Sequence, residues 1–583
     1  MLSAARTRLI LACGLLVLSG LGLALAANPP ASASTAGLQA NPIRRENALP
    51  GAANWRLPRA ARGAIEGYAS RISVRPGNVL ELHVSTGSAT RYRVDIYRIG
   101  WYGGSGARLL ACLPTCTTDE AGSPQPVPPF DPSTGYLNAG WPVTDRIAVG
   151  PSWTSGYYLA QLVLTQGPDA GHGSWVPFIV REPVGQRSNV LVQAAVNTWQ
   201  AYNDWGGRSL YSNFTGVGDN HVSFERPFDE ASMKTSDGPA TDNANLPQVS
   251  EFPLVRFLER NGYDVSYTTD VDIDANPAEL LRHRLAIVAG YDEYWTKGIR
   301  DAYERARDLG TNLAFVGANI GFWQMRYEDG RRTIVEYRNA GPDPETDPAL
   351  KTVLFRELTP PRPECRLLGV EGIVEPNNTS IGIENLTANP AALGDPWFAR
   401  TGFTPAIVLP ELVGYEWDLI TPGCATPPLT DLFHVSGTPS YDGVRYTAPS
   451  GARVFSAGTL RFSWGLDDTT GHGSPQLQRF MQNALDDLTR PAPPTSLRAA
   501  RTRAGVRIAV GWPPDTRPRE LLVYARPGSQ PFLPSTRGVR LVCRTRGATC
   551  TDSLAARGRL VRYVAILRDP WRPSVPLLSR TVR

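Results

Sequence analysis

A chain of 583 residues exceeds what a single hydrophobic core supports, so several domains are expected. With 42% hydrophobic and 19% charged residues, the composition is that of a folded globular protein and excludes a disordered chain. The formal charge is only +5; all but three of the 59 basic residues are arginine, and they are spread along the chain, which argues against a nucleic-acid-binding surface.

The first element is "LILACGLLVLSGLGLALA", preceded by Arg6 and Arg8 and followed by small residues. A basic start, an apolar run and small-residue cleavage positions predict a secretory signal peptide over residues 1–33, cleaved after Ala26 or Ala33, and hence a secreted, extracellular protein with no later membrane span. Beyond Cys13, six cysteines remain. An even count in an exported chain favours disulfides, with one pair in each region: 112–116, 365–424 and 543–550. The count alone leaves the connectivity open.

Residues 45–185 read as a β-sandwich. In "RYRVDIYRIGWYGG", Tyr92, Val94 and Ile96 alternate with Arg91, Arg93 and Asp95, the period of a half-buried strand. The glycines of "GWYGGSGARLL" lack a phosphate-loop lysine and read as a turn. The period changes over 186–489. "NVLVQAAV" (189–196), "YDVSYTTD", "LAIVAG" (285–290) and "NLAFVGA" (312–318, before Asn319) are buried strands. Between them, "FPLVRFLERNG" puts Leu254, Phe257 and Leu258 on one helical face. Thr296 can cap a helix that puts Ile299, Ala302, Tyr303, Ala306 and Leu309 on one face and ends at Gly310. Alternating strands and helices predict a multidomain α/β plus β chain, with a doubly wound, mostly parallel central sheet covered on both faces. A last helix, "PQLQRFMQNALDDLTR", returns to that domain. "RPAPPTSL" (490–497) is a proline-stiffened linker, and 498–583 reads as a fibronectin type III-like sandwich.

Ligands of open α/β sheets bind beyond the carboxyl ends of the strands. Three ends here carry polar and aromatic clusters: Asn197, Tyr202 and Tyr211; Tyr291, Asp292 and Glu293; and Asn319 with Phe322 and Trp323. There is no dinucleotide fingerprint, no nucleophile elbow, no expected free cysteine and no histidine at these ends. Phenols and a carboxylate remain, hard anionic donors that prefer Fe(III) to zinc or copper. Such a metal would depress a tyrosine pKa from its usual value of about 10.

"YRIGWYGGSGARLL", "NTWQAYNDWGGRSLY", "FERPF", "FLERNGYDVSYTTDVD", "AGYDEYW", "FVGANIGFW" and "GYEWD" follow one another from about residue 90 to 485. In this order they resemble the large (β) subunit of N,N-dimethylformamidase and its relatives. The resemblance implies a secreted amide (C–N) hydrolase whose catalytic domain is similar to class I glutamine amidotransferases. It also implies one Fe(III) per chain, held by Tyr202, Tyr211 and Glu293. Asn319 falls on the family's site asparagine and Glu416, in "GYEWD", on its catalytic base. Where the family has histidine two residues before the ligand glutamate, this chain has Tyr291, a phenol about three units less acidic than imidazolium and a poor base at neutral pH. Trp295, Phe322 and Trp323 are expected to line or support the pocket.

Two functional classes follow. One is an iron-dependent hydrolase of a small-molecule or cell-surface amide, as a monomer or a homo-oligomer; the family's small subunit is absent from this chain. The other is a non-catalytic extracellular binding protein that keeps the fold but, with Tyr291, not the activity.

Overall fold

The computed structural model describes residues 41–582, except 57–58, 62, 212–218, 230–249, 374–381, 425–426, 513–519, 570–573, 575–576 and 579–580. The predicted signal peptide lies outside the described residues.

Two β-sheets form the first layer pair. One holds strands Ile65–Ala69, Val79–Thr86 and Asp145–Ala148; the other is built on Thr90–Ile99, Ala107–Leu113, Gly156–Leu164 and Gly173–Val180. Val94, Ile96 and Leu162 of the second sheet meet Leu80 and Leu82 of the first in a shared core. The strand 90–99 is not half-exposed along its whole length as its alternation predicts. Tyr97 and Ile99, on its other face, are buried in the core of the central domain. That face is covered by protein, so half-exposure gives way to a continuously buried end.

The central sheet contains β1 (Val190–Ala194), β2 (Val265–Thr269), β3 (Leu285–Ala289), β4 (Asn312–Val316), β5 (Thr430–Val435), β6 (Tyr441–Thr447) and β7 (Arg453–Ser456). Their spatial order is β2-β1-β3-β4-β7-β6-β5. The run from β2 to β7 is parallel, and β6 and β5 are added antiparallel. Helices α1 (Val196–Ala201), α2 (Phe252–Arg260), α3 (Lys297–Asp308) and α4 (Pro475–Leu488) flank it. Val190, Val192 and Ala194 share one core with Leu254, Phe257 and Leu258 of α2 and Leu477, Phe480 and Met481 of α4. Leu191, Ala286 and Val288 share the opposite core with Ile299, Ala302, Tyr303 and Ala306 of α3. With both faces covered, β1 to β4 are buried at every position. Across the described residues β structure nonetheless exceeds helix.

Each predicted strand ends early. The strand expected over 189–196 stops at Ala194, because Val196 already opens α1. The one expected over 285–290 stops at Ala289, where Gly290 turns the chain with φ +68°. The third stops at Val316 rather than at 318, before Gly317. Gly317 is demanded by packing: a Cβ there would lie 1.7 Å from the carbonyl oxygen of Gly290, on the neighbouring strand end. Neither backbone can yield without moving the residues that follow, Tyr291 to Glu293 and Asn319. We therefore expect Gly317→Ala to cost at least about 1–3 kcal/mol, the usual range for overpacking, read as a lowered denaturation midpoint.

Beyond α4, strands Ser496–Thr502, Gly505–Gly511 and Thr549–Asp552 form one antiparallel sheet; Glu520–Pro527, Arg540–Thr545, Val561–Arg568 and Leu577–Leu578 form another. Val506, Ile508, Leu521, Val523 and Tyr563 fill the space between them. Arg284, just before β3, pairs with Asp569 at 2.7 Å with both side chains buried, tying this unit to the central domain. The cysteines lie at disulfide distance in the three expected pairs: 112–116, 365–424 and 543–550, with Cα separations of 4.9, 6.1 and 6.5 Å.

Candidate functional site

The parallel strands β1, β3 and β4 lie side by side, so the segments leaving their carboxyl ends meet. After β1, helix α1 makes less than two turns and ends at Tyr202, whose N–H reaches the carbonyl of Thr198. The chain then loops back, Leu210 N–H bonding the carbonyl of Ala201, and delivers Tyr211 beside it. The two rings stack, 4.1 Å between centroids and 18° apart. After β3, Gly290 turns the backbone and Glu293 is pinned on both sides. Its N–H bonds Thr198 Oγ1 at 2.9 Å, and its carbonyl accepts from Phe322 and Trp323 N–H at 3.0 Å.

These constraints bring three oxygen donors together. Tyr202 Oη donates to Glu293 Oε2 at 3.0 Å, and Tyr211 Oη reaches the same oxygen at 3.2 Å and Oε1 at 3.4 Å. Tyr291 Oη lies 3.1 Å from Tyr202 Oη and donates to Glu416 Oε2. Asn319 Nδ2 donates to that same Glu416 oxygen at 2.7 Å. Among the described residues, Glu416 Oε1 has no partner, and the side chain is half-buried at the rim. Asn319 stands at φ +53°, its N–H held by Asp418 Oδ1 at 2.9 Å, and its own Oδ1 is buried without a partner among the described residues. Tyr202, Tyr211, Tyr291, Glu293, Asn319 and Glu416 therefore converge.

The electrostatics are those of a crowded set of acids. Glu293 is 4% exposed; burial first, and the Glu416 charge second, push its pKa up to about 8. Burial likewise raises Glu416. Burial, followed by the Glu293 charge, lifts Tyr202, Tyr211 and Tyr291 well above the ordinary phenol range. Burial and mutual repulsion thus disfavour the ionised forms of these groups. Two phenols and a carboxylate within hydrogen-bond distance of one another are a hard-oxygen donor set, and a trivalent cation would reverse these shifts by stabilising the ionised forms. Tyr202, Tyr211 and Glu293 thus fit a hard metal ion.

Three neighbours escaped the sequence reading. Tyr294 Oη is hydrogen-bonded to Tyr211 Oη. Arg338 donates to Tyr294 Oη at 3.0 Å and stacks its guanidinium 3.8 Å from the Tyr211 ring centre. Thr198 holds the Glu293 backbone. Tyr294 and Thr198 sit inside the quoted motifs; Arg338, from a distant loop at φ +55°, carried no local signal. Trp323 does more than line the site, since its Nε1 donates to Glu293 Oε1 at 3.1 Å. Trp295 does not line it: the ring is fully buried against Tyr303, 4.8 Å away, under α3. Asn197 also stands behind the site, holding the Tyr294 carbonyl at 2.9 Å.

A family profile described as N,N-dimethylformamidase beta subunit-like, C-terminal, matches residues 93–476. No curated protein matches the chain. Solved structures with matches include titin kinase and its flanking domains, at 14% identity and TM-score 0.13, covering 16% of each chain. Another is the chicken CNTN1 FN1–FN3 domains, at 6% identity and TM-score 0.13, covering 88% of this chain and 99% of that one. At those scores neither carries an argument.

Proposed function

Because the chain belongs to the N,N-dimethylformamidase beta subunit-like family, we propose that it hydrolyses the C–N bond of a small linear amide at the tyrosine–glutamate cluster. The observation that carries this reading is the joint placement of Tyr202 and Tyr211 on Glu293, facing a Glu416 with one oxygen engaged and one free. Tyr202, Tyr211 and Glu293 would hold one Fe(III), which supplies Lewis acidity toward the amide carbonyl and acidity to water.

The remaining chemistry belongs to the chain. Tyr291 and Asn319 both donate to Glu416 Oε2, which fixes the carboxylate and leaves Oε1 to accept a proton from the attacking water. Glu416 then returns that proton to the amide nitrogen as the C–N bond breaks, giving acid and amine. Tyr291 thus takes an orienting role, in place of the proton transfer a histidine would perform. Asn319 Nδ2, released from Glu416 as the carboxylate is protonated, would donate to the developing oxyanion. The central domain fits the glutamine amidotransferase-like architecture through its parallel order and two covered faces. Three cysteine pairs at disulfide distance favour an extracellular setting.

The test is iron content and the visible spectrum of protein purified without chelators, followed by hydrolysis of small amides. About one iron per chain with a phenolate-to-iron band, and amine release, is the expected result. We expect Glu416→Gln to keep the iron and the band while kcat falls about 100-fold or more, since only the proton acceptor is lost. The replacement of histidine by Tyr291 favours the second reading, a binding protein without activity. Protein that takes up no iron on reconstitution and releases no amine would establish that reading instead.

A further inference from the structure

Arginines run through the whole chain, but the acids that balance them do not. From residue 491 to 583 there are 18 arginines and only four acids, Asp515, Glu520, Asp552 and Asp569. The C-terminal sandwich is therefore strongly basic, and the remainder of the chain is net acidic.

Strand register gathers much of this charge at one end of the sandwich. Thr502 pairs with Gly505, so Arg503 sits on a turn beside Asp552, the partner of Val506. Pro527 pairs with Val561, and Ala525 with Arg540. The loops 528–539 and 553–560 therefore leave from that same end. Gly528 N–H bonds the carbonyl of Leu560, joining the two loops. Arg501 donates to the carbonyls of Ala555 and Ala556, which shapes the second. Arg540 and Tyr563 Oη both bond Asp552, which is 1% exposed and links the two sheets. No acid is exposed at this end among the described residues. Arg503, Arg537, Arg557 and Arg559 are exposed there and carry no ion pair among the described residues.

The same loops carry exposed leucines: Leu554 is 77% exposed, Leu533 60% and Leu560 40%, and Leu541, on the strand that leaves the first loop, is 49% exposed. The opposite end, where Asp569 lies, is the one fastened to the central domain through Arg284. The basic, leucine-bearing end thus points away from that anchor.

We propose that this end docks the protein onto the surface of an anionic phospholipid membrane, the arginines meeting phosphate headgroups and the four leucines entering the acyl boundary. Charge complementarity requires a polyanion, and the leucines select among polyanions. A soluble acidic polymer gains nothing from exposed aliphatic groups, and Phe532 and Tyr563, the aromatics of this end, are buried and offer no base a stacking face. Clustered arginine with projecting leucine suits an interface that is charged outside and apolar within.

The experiment is co-sedimentation of the full chain with vesicles of phosphatidylcholine, with and without about 30% phosphatidylglycerol, at about 0.1 M salt. Binding to the anionic vesicles only, weakened by high salt, is expected. Arg557→Gln with Arg559→Gln should weaken it about fivefold per arginine. Leu554→Ser with Leu533→Ser should weaken it too, while the thermal midpoint stays nearly unchanged because both side chains are mostly in water. Equal binding to neutral vesicles, no binding to either, or anionic binding indifferent to the leucine pair would each overturn the proposal. The last result, together with retention on a DNA or sulfated-polysaccharide column, would identify a soluble polyanion as the partner.

Discussion

Glu293→Gln is expected to leave the purified protein without iron and without detectable amide hydrolysis, although the chain still folds. Both phenols address Glu293, so it is the charge around which the donor set is built. Gln keeps the volume and one acceptor oxygen, and the backbone bonds to Thr198, Phe322 and Trp323 do not depend on the side chain. What disappears is one anionic donor of three. Metal affinity should therefore fall by more than the ~10–100-fold that follows loss of a group merely hydrogen-bonded to a ligand. Metal analysis and the visible band read this directly, and unchanged circular dichroism excludes unfolding. A variant that retained full iron and the band would remove Glu293 from the donor set. Trp323→Phe is the graded comparison: it deletes the 3.1 Å bond to Glu293 Oε1 while keeping an aromatic ring there, and its loss should stay within that ~10–100-fold range.

The largest stability effect is expected at the junction between the first sandwich and the central domain. Arg98 and Glu259 are both fully buried and meet through two bonds, 2.7 and 2.9 Å long. Arg98 lies on strand Thr90–Ile99 and Glu259 on α2, so the pair spans two structural units. Tyr267 Oη at 2.9 Å and Asn47 Nδ2 at 2.7 Å complete the shell of Glu259, while Arg98 also donates to the Ser155 carbonyl at 2.7 Å. Glu259→Met would strand a guanidinium where no water reaches it, at a cost of about 3–5 kcal/mol. The double variant Arg98→Met, Glu259→Met should recover much of that loss, because a buried pair exchanged for apolar side chains of similar volume is often neutral. Denaturant titrations of the two single variants and the double measure it. Equal losses in the single and double variants would show that the charges do not act as a pair.

Much of this molecule is local in origin. The alternation of 90–99, the apolar faces of α2 and α3 and the cap at Thr296 are each written within a dozen residues, because strand and helix periods are properties of short segments. The parallel central sheet followed from that succession, and the rule that ligands lie beyond its carboxyl ends placed Tyr202, Tyr291, Glu293 and Asn319 on one rim. The three strand ends were misplaced by one or two residues for a non-local reason: what stops each is a helix start or a close approach such as Gly317 to Gly290, which only the neighbouring strand imposes.

The sequence by itself determined the order of elements, the residue types available for chemistry and the charge carried by each region, since those depend on composition and short-range pattern. The tertiary structure alone decided which of these residues touch. It turned Trp295 away under α3 and Trp323 toward Glu293, and it laid Arg338 across Tyr211 from a loop with no signal of its own. It also gathered arginines and leucines from three separate segments onto one end of the last sandwich. Strand order and register set those meetings, and register arises from packing between segments far apart in the chain.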